Sequence, residues 1–104
     1  MHKSTKDCDI STAVKATVWG RDHGQCILCE SAAAKPNAHY IPRSQLGLGI
    51  EQNIVTLCWK CHMDYDGVDR VALGTRIKKY LDDHYPGFPN EARYYKKFNF
   101  GDQV

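Results

Sequence analysis

The chain has 104 residues, of which 42% are hydrophobic and 25% charged, and its formal net charge is +2. These values predict one small soluble globular domain, and the mild positive charge permits a nucleic-acid partner without identifying one. No apolar run near the start is typical of a signal peptide, and no window approaches the roughly 18 apolar residues of a membrane helix. We therefore expect a cytoplasmic protein whose thiols stay reduced.

The first half of the chain predicts a helix and two strands. Residues 1–10 are polar, and we expect them to be loosely ordered. The stretch STAVKATVWGRDHGQ predicts a short helix, with Ser11 or Thr12 as its cap and with Val14 and Val18 on one face. AHYI predicts a short strand and NIVTL a second one, and the loop PRSQLGLGIEQ joins them.

The second half predicts two helices and a tail. WKCHMDYD predicts a helix that ends before the next glycine, and a longer helix follows over residues 69–84, with Asp69 as its cap. The apolar residues of this longer helix recur at every fourth position and predict core contacts: Leu73, Ile77 and Leu81. The tail, residues 86–104, mixes aromatic and basic residues and predicts a short helix or an arm.

Four of the five cysteines lie in two CxxC pairs, Cys26–Cys29 and Cys58–Cys61, while Cys8 stands alone with no expected role. In a reducing compartment, two such pairs favour a metal over disulfides. Four thiolates complete a tetrahedral Zn²⁺ site without an open position, so we predict a structural zinc that stabilises the small core. Two redox-active or incidental CxxC pairs are the alternative. With the predicted elements, this gives an α+β fold: a zinc-stapled ββα unit with flanking helices.

The segments AHYIPRS and GLGIEQNIVTLCWKCH resemble the HNH endonuclease motif, in the zinc-knuckle form common in phages and bacteria. The resemblance runs from about residue 21 to residue 67 and includes both CxxC pairs. It implies a ββα-metal (His-Me finger) core in a single nuclease domain over residues 1–104. It also implies a divalent ion such as Mg²⁺ or Mn²⁺, separate from the structural zinc, that holds a scissile phosphate.

The resemblance implies a role for each of three residues. His39, three residues before a proline, takes the position of the general base, and imidazole suits proton abstraction near neutral pH. Asn53 takes the middle position, where we expect it to hydrogen-bond the loop backbone and so fix the orientation of His39. His62 takes the last position and is the expected ligand of the catalytic ion.

The sequence departs from the family at Ala38, where members often carry a metal-binding aspartate or histidine. Asp66 lies four residues after His62, so the two side chains share one face of a continuing helix. Its carboxylate suits Mg²⁺ or Mn²⁺, which makes Asp66 the candidate replacement ligand. The alternative is that Asp66 caps the turn at the following glycine or is simply solvated.

Several basic residues are candidate contacts for nucleic-acid phosphates. Arg43 can hold a phosphate through two hydrogen bonds, although a solvated loop arginine fits as well. The second half of the chain supplies further candidates: Lys78, Lys79, Lys96 and Lys97, with Arg70, Arg76 and Arg93 in the same region. Such contacts are sequence-independent and sensitive to salt, and a charged helix can equally be a solvated face.

Together these observations predict a metal-dependent endonuclease that hydrolyses phosphodiester bonds in DNA, with RNA left open as a substrate. For the phage members, the resemblance also adds genome-packaging proteins as candidate partners. The alternative is a catalytically inactive zinc-stapled module that binds nucleic acid or protein. In this alternative, Ala38 marks the loss of a ligand of the catalytic ion.

Overall fold

A computed structural model of the chain describes residues 3–95. These residues form the helices α1 (Lys3–Cys8), α2 (Thr12–Arg21), α3 (Trp59–Asp66) and α4 (Arg70–His84) and the strands β1 (Ala34–His39) and β2 (Ile54–Cys58). Two 3₁₀ turns, Arg43–Gln45 and Asn90–Arg93, lie in the connections. The predicted α+β class is confirmed. None of the helices in residues 3–95 combines the length and apolar character that crossing a membrane requires.

The two strands pair antiparallel, and helices cover the pair. His39 lies opposite Ile54 and Ala34 lies opposite Cys58, with an irregularity in the register between them. Every residue of β2 is buried, because α2 and α3 both pack against the sheet. The core lies between the sheet and the helices α3 and α4 and contains Cys26, Ala38, Val55, Leu57, Cys58, Tyr65, Ile77 and Leu81.

The first strand lies earlier in the chain than AHYI predicts. It begins at Ala34 and ends at His39, because the backbone N–H and C=O groups of Ile41 bond the side chain of Asn53 instead of a strand neighbour. The polar composition of AKPNAH gives little indication of a strand, and its pairing with the buried β2 is what makes it one.

The helices α2, α3 and α4 agree with the sequence to within a few residues, while α1 was not predicted. Ser11 caps α2, since its Oγ accepts a hydrogen bond from the Val14 N–H at 3.1 Å. Asp69 occupies the N-cap position of α4 but makes no capping hydrogen bond with its side chain. For residues 3–10 the expectation of a loose segment was wrong, because α1 covers residues 3–8 and Cys8 is buried, while residues 1–2 lie outside the described residues.

A buried ion pair joins α2 to the sheet and to α4. Asp22 is 4% exposed and pairs with the Arg21 guanidinium, with Nε and Oδ1 2.6 Å apart. Its carboxylate also accepts hydrogen bonds from the Thr56 N–H at 2.9 Å and from the Tyr80 hydroxyl at 2.6 Å. Because a buried carboxylate needs a full set of donors, this arrangement fixes α2 against both neighbours.

Candidate functional site

The four paired cysteines come together at one end of the sheet. Cys26 and Cys29 lie in the turn that follows α2, and Cys58 ends β2 and caps α3, on which Cys61 lies. Their four Sγ atoms all lie within 4.8 Å of one another. A tetrahedron with Zn–S bonds of about 2.3 Å has edges of about 3.8 Å, so this cluster fits a tetrahedral metal. The chain therefore carries a four-cysteine cluster that can hold an ion such as zinc or iron.

The surroundings of Cys26 favour ionisation of its thiol. Burial alone raises the pKa of this thiol, but hydrogen bonds from the backbone N–H groups of Cys58, Cys29 and Leu28 lower it to about 7. Burial and the neighbouring thiols raise the pKa of Cys61 instead. Because metals bind the thiolate form, the hydrogen bonds to Cys26 favour the form of this thiol that binds a metal.

His39, His62 and Asp66 line one cleft of about 390 Å³ on the face of the sheet beside α3. His39 is the last residue of β1, while His62 and Asp66 lie one turn apart on α3. The His62 Nε2 atom lies 3.7 Å from Asp66 Oδ2, and the two side chains are 30% and 65% exposed. The cleft is also lined by Ile10, Lys15, Asn37, Pro42 and Arg43.

The ring of His39 is held by a backbone carbonyl. Its Nε2 atom lies 2.9 Å from the Cys8 oxygen. Because a carbonyl only accepts hydrogen bonds, Nε2 carries the proton and Nδ1 carries the lone pair of the neutral ring. Burial lowers the pKa of His39 below 6.5, with smaller contributions from the charges of Arg43 and His62, while the bond to Cys8 opposes them. This shift favours the neutral ring, in which Nδ1 can accept a proton.

Asn53 is completely buried behind the cleft, at the start of β2. Its Oδ1 atom accepts a hydrogen bond from the Ile41 N–H at 2.8 Å. Its Nδ2 group donates to the carbonyl oxygens of Ile41 at 3.2 Å and of Leu48 at 2.9 Å. The backbone carbonyl of Asn53 accepts from the Tyr40 N–H at 2.7 Å. The Asn53 side chain thus joins two parts of the connecting loop, at Ile41 and Leu48, and its backbone pairs with the residue that follows His39.

Ala38 lies on the other side of β1 from the cleft. Its side chain is 0% exposed and belongs to the core, opposite Val55. Asn37 lines the cleft instead and is exposed to solvent. Position 38 therefore does not face His62 and Asp66 in this fold.

Of the lysines predicted to contact phosphate, the two that the structure describes do not line the cleft that contains His39. Lys78 and Lys79 line a second groove of about 840 Å³ along α4, and their ammonium groups pair with Asp82 at 2.6 Å and Asp83 at 2.9 Å. Pro42 lines both the groove and the cleft, so the two adjoin there. Lys96 and Lys97 lie outside the described residues.

Two arginines behave differently from the sequence expectation. Arg43 lines the cleft, but its guanidinium donates to the Cys8 carbonyl at 2.9 Å and to the Asp9 carboxylate at 2.8 Å. Arg93 is completely buried, where it donates to the Gln52 carbonyl at 2.7 Å. As a surface contact for phosphate, the expectation for Arg93 was wrong, because its charge is used inside the fold.

Cys8 and Arg21 are the residues that the sequence analysis missed. The Cys8 contribution is a backbone carbonyl, for which no side-chain pattern exists. Arg21 donates to the carbonyl oxygens of Glu51 and Ile54, both at 2.7 Å, and so supports the strand that begins beside Asn53. Its position directly before Asp22 was the one available indication of a buried pair.

Comparisons with known proteins give one partial match. A stretch of 42 residues is 43% identical to Anaredoxin from Nostoc sp., and covers 39% of this chain and 55% of that protein. The chain thus spans about half the length of this curated relative. No family model matches the chain, and no solved structure matches it significantly.

Proposed function

We propose that the protein is a metal-dependent endonuclease of the HNH type that hydrolyses phosphodiester bonds in DNA. The observation that carries the proposal is the cleft in which His39 from β1 meets His62 and Asp66 from α3. Asn53 stabilises this arrangement, because its side chain hydrogen-bonds Ile41 and Leu48 in the segment that follows His39. These four residues are of the types that the proposed ββα-metal (His-Me finger) site needs, and their proximity supports the proposal.

The donors at the cleft fit a hard divalent ion. His62 offers an imidazole nitrogen and Asp66 a carboxylate oxygen, one turn apart on a helix. Mg²⁺ and Mn²⁺ accept one or two protein ligands and complete their shells with water and substrate phosphate oxygens. When bound, such an ion would stabilise the negative charge that develops on the phosphate. Among residues 3–95, the cysteine cluster is the group in which three or more ligand side chains converge, so water and substrate would supply the remaining ligands at the cleft.

His39 is the proposed general base. Its neutral ring takes the proton of a water molecule at Nδ1 while the water oxygen forms a bond to phosphorus. The bond from phosphorus to the 3′ oxygen breaks with its electron pair on that oxygen, which takes a proton from solvent water, so the products are a 5′ phosphate and a 3′ hydroxyl. The hydrogen bond from Nε2–H to the Cys8 carbonyl stabilises the imidazolium that forms, as a hydrogen-bond acceptor on the second ring nitrogen generally does.

The cysteine cluster is proposed to hold zinc in a structural role. Four thiolates leave no position for substrate, and the cluster joins the turn after α2 to the start of α3. Iron is the second candidate, because four thiolates also suit iron and because the name Anaredoxin suggests a redox protein for the relative.

A catalytically inactive binding module is the rival function. The observation that favours it is the small number of protein ligands at the cleft, together with the burial of position 38. Such a module would keep the metal-stapled fold and bind nucleic acid or a protein without cleaving it.

Cleavage of supercoiled plasmid by the purified chain tests the proposal. We expect nicking with Mg²⁺, Mn²⁺ or Ni²⁺, none with EDTA, and a loss of about 100-fold or more for His39→Ala. His84→Ala is the matched control, because His84 is exposed on α4 and does not line the cleft. If no metal supports cleavage by the folded protein, the nuclease is excluded in favour of the binding module.

A further inference from the structure

Residues 7–9 lie outside the stretch that resembles the HNH motif, yet they contact its candidate base. The Cys8 carbonyl receives the hydrogen bond from His39 Nε2 across 31 positions of sequence. The same oxygen accepts a second hydrogen bond from Arg43 Nη1, also at 2.9 Å. A carbonyl oxygen has two lone pairs, so these two donors saturate it.

Packing and hydrogen bonds together hold residues 7–9 in this place. The Gly49 N–H donates to the Asp7 carbonyl at 3.0 Å, and Arg43 Nη2 pairs with Asp9 Oδ1 at 2.8 Å. The Cys8 side chain is 2% exposed. Gly49 permits the close approach of the two backbones, because a Cβ atom at this position would lie 2.1 Å from the backbone carbonyl oxygen of Asp9.

We propose that residues 7–9 complete the catalytic site, with the Cys8 carbonyl and Arg43 acting as positioning groups for His39. This inference rests on the nuclease function proposed above. The carbonyl selects the ring form with hydrogen on Nε2 and holds the ring in one orientation, so that Nδ1 is the nitrogen that meets the water. Arg43 donates a hydrogen bond to the carbonyl and so aligns it. Its guanidinium bonds Cys8 and Asp9, and its proposed role is positioning and not phosphate binding.

Steady-state cleavage of a short DNA duplex separates the two roles open to Arg43. We expect Arg43→Ala to lower kcat by about 100-fold with little change in KM, because the base is displaced while substrate contacts remain. Lys15→Ala is the matched variant, since Lys15 is an exposed cation of the same cleft. We expect that variant to raise KM and leave kcat unchanged. If Arg43→Ala instead raises KM at constant kcat, Arg43 binds phosphate and the inference is wrong.

The protonation form of the His39 ring is a second readout, which does not depend on cleavage. In ¹⁵N spectra of the 104-residue chain, we expect His39 to carry its hydrogen on Nε2, with His39→Ala identifying its signals among the five histidines. Gly49→Ala should displace residues 7–9 and produce a mixture of both neutral forms. Gly20→Ala is the matched control, because no atom lies within 4 Å of a Cβ placed there. An unchanged His39 spectrum in Gly49→Ala would overturn the inference.

Failure of the proposed nuclease function and failure of the positioning role give different results. If the wild-type chain cleaves no DNA with any metal, the nuclease function is wrong and the catalytic role of residues 7–9 falls with it. If the wild type cleaves and both Arg43→Ala and Gly49→Ala keep the full kcat, only the positioning role is wrong.

Discussion

Asn37 and Ala38 are neighbours in β1 with opposite surroundings. Asn37 lines the cleft together with His39, two positions later, whereas Ala38 is buried against the core. The family often places a metal-binding carboxylate at the position of Ala38. In this fold, an aspartate at position 38 would put its charge among apolar side chains, while one at position 37 would put its charge in the cleft.

This difference gives a paired prediction. Ala38→Asp should lower the free energy of unfolding by about 3 kcal/mol or more, because it buries an unpaired carboxylate. Asn37→Asp should change it by no more than about 0.5 kcal/mol and should lower the Mn²⁺ concentration needed for half-maximal cleavage. Urea unfolding and a metal titration measure the two effects. A stable Ala38→Asp variant with tighter Mn²⁺ dependence would show that position 38 faces the ion.

Asn53 allows a second prediction at the level of one residue. Asn53→Ala removes three hydrogen bonds and leaves the partly buried N–H and C=O groups of Ile41 and the Leu48 carbonyl without these partners. We expect a loss of about 3 kcal/mol in the free energy of unfolding, measured by urea denaturation. The control is Gln45→Ala, an exposed position of the same loop, which should cost less than about 0.5 kcal/mol. Equal losses in both variants would contradict the assigned role of Asn53.

At the scale of the elements, helices with local signals were predictable and elements defined by their partners were not. The cap at Ser11 and the apolar repeat of α4 identified two helices from nearby residues alone. Strand β1 could not be placed, because its bounds depend on pairing with β2 and on where Asn53 interrupts the pairing. Helix α1 was missed for a related reason, since its last residue packs against a glycine that lies far along the chain.

Two glycines provide a prediction at this scale. A Cβ atom at Gly47 would lie 1.6 Å from the Ile41 carbonyl oxygen, so Gly47→Ala must shift the backbone of the loop. We expect it to cost about 1–3 kcal/mol. Gly20→Ala, inside α2, meets no atom and should instead raise the stability by up to about 1 kcal/mol, because alanine favours the helix. Thermal unfolding measures both, and a Gly47→Ala variant as stable as the wild type would contradict the tight contact.

At the scale of the whole molecule, sequence reasoning found the side chains with a motif and missed the contacts that join distant segments. The cysteine spacing identified the cluster, and the HNH resemblance pointed to His39, His62 and Asp66, which line the cleft. The interactions of Arg21 and Arg93 with remote carbonyl oxygens could not be predicted, because a backbone acceptor has no pattern in the sequence. Each of these arginines is a charge that composition alone assigns to the surface, whereas the fold uses it as an internal donor.

Removal of the metal tests how the whole molecule is held together. The cysteine cluster connects the turn after α2 to the junction of β2 and α3, so the segment that carries His39 and Asn53 lies between its two halves. We expect one zinc ion per chain, and Cys29→Ser should lose it and lower the Tm by more than about 10 °C, because metal binding contributes directly to folding. Elemental analysis and circular dichroism measure the two quantities.

Cys8→Ser provides the control for this experiment, since Cys8 is buried but lies outside the cluster. It should keep a full equivalent of metal, with a smaller loss of Tm, because one buried thiol is exchanged for a hydroxyl of similar size. If the purified chain contains a full equivalent of iron and absorbs visible light through its iron–thiolate bonds, the metal of the cluster is iron and not zinc. If Cys29→Ser retains both the metal and the wild-type Tm, the four cysteines do not hold an ion together, and the loop must be fixed by Asn53 and the core alone.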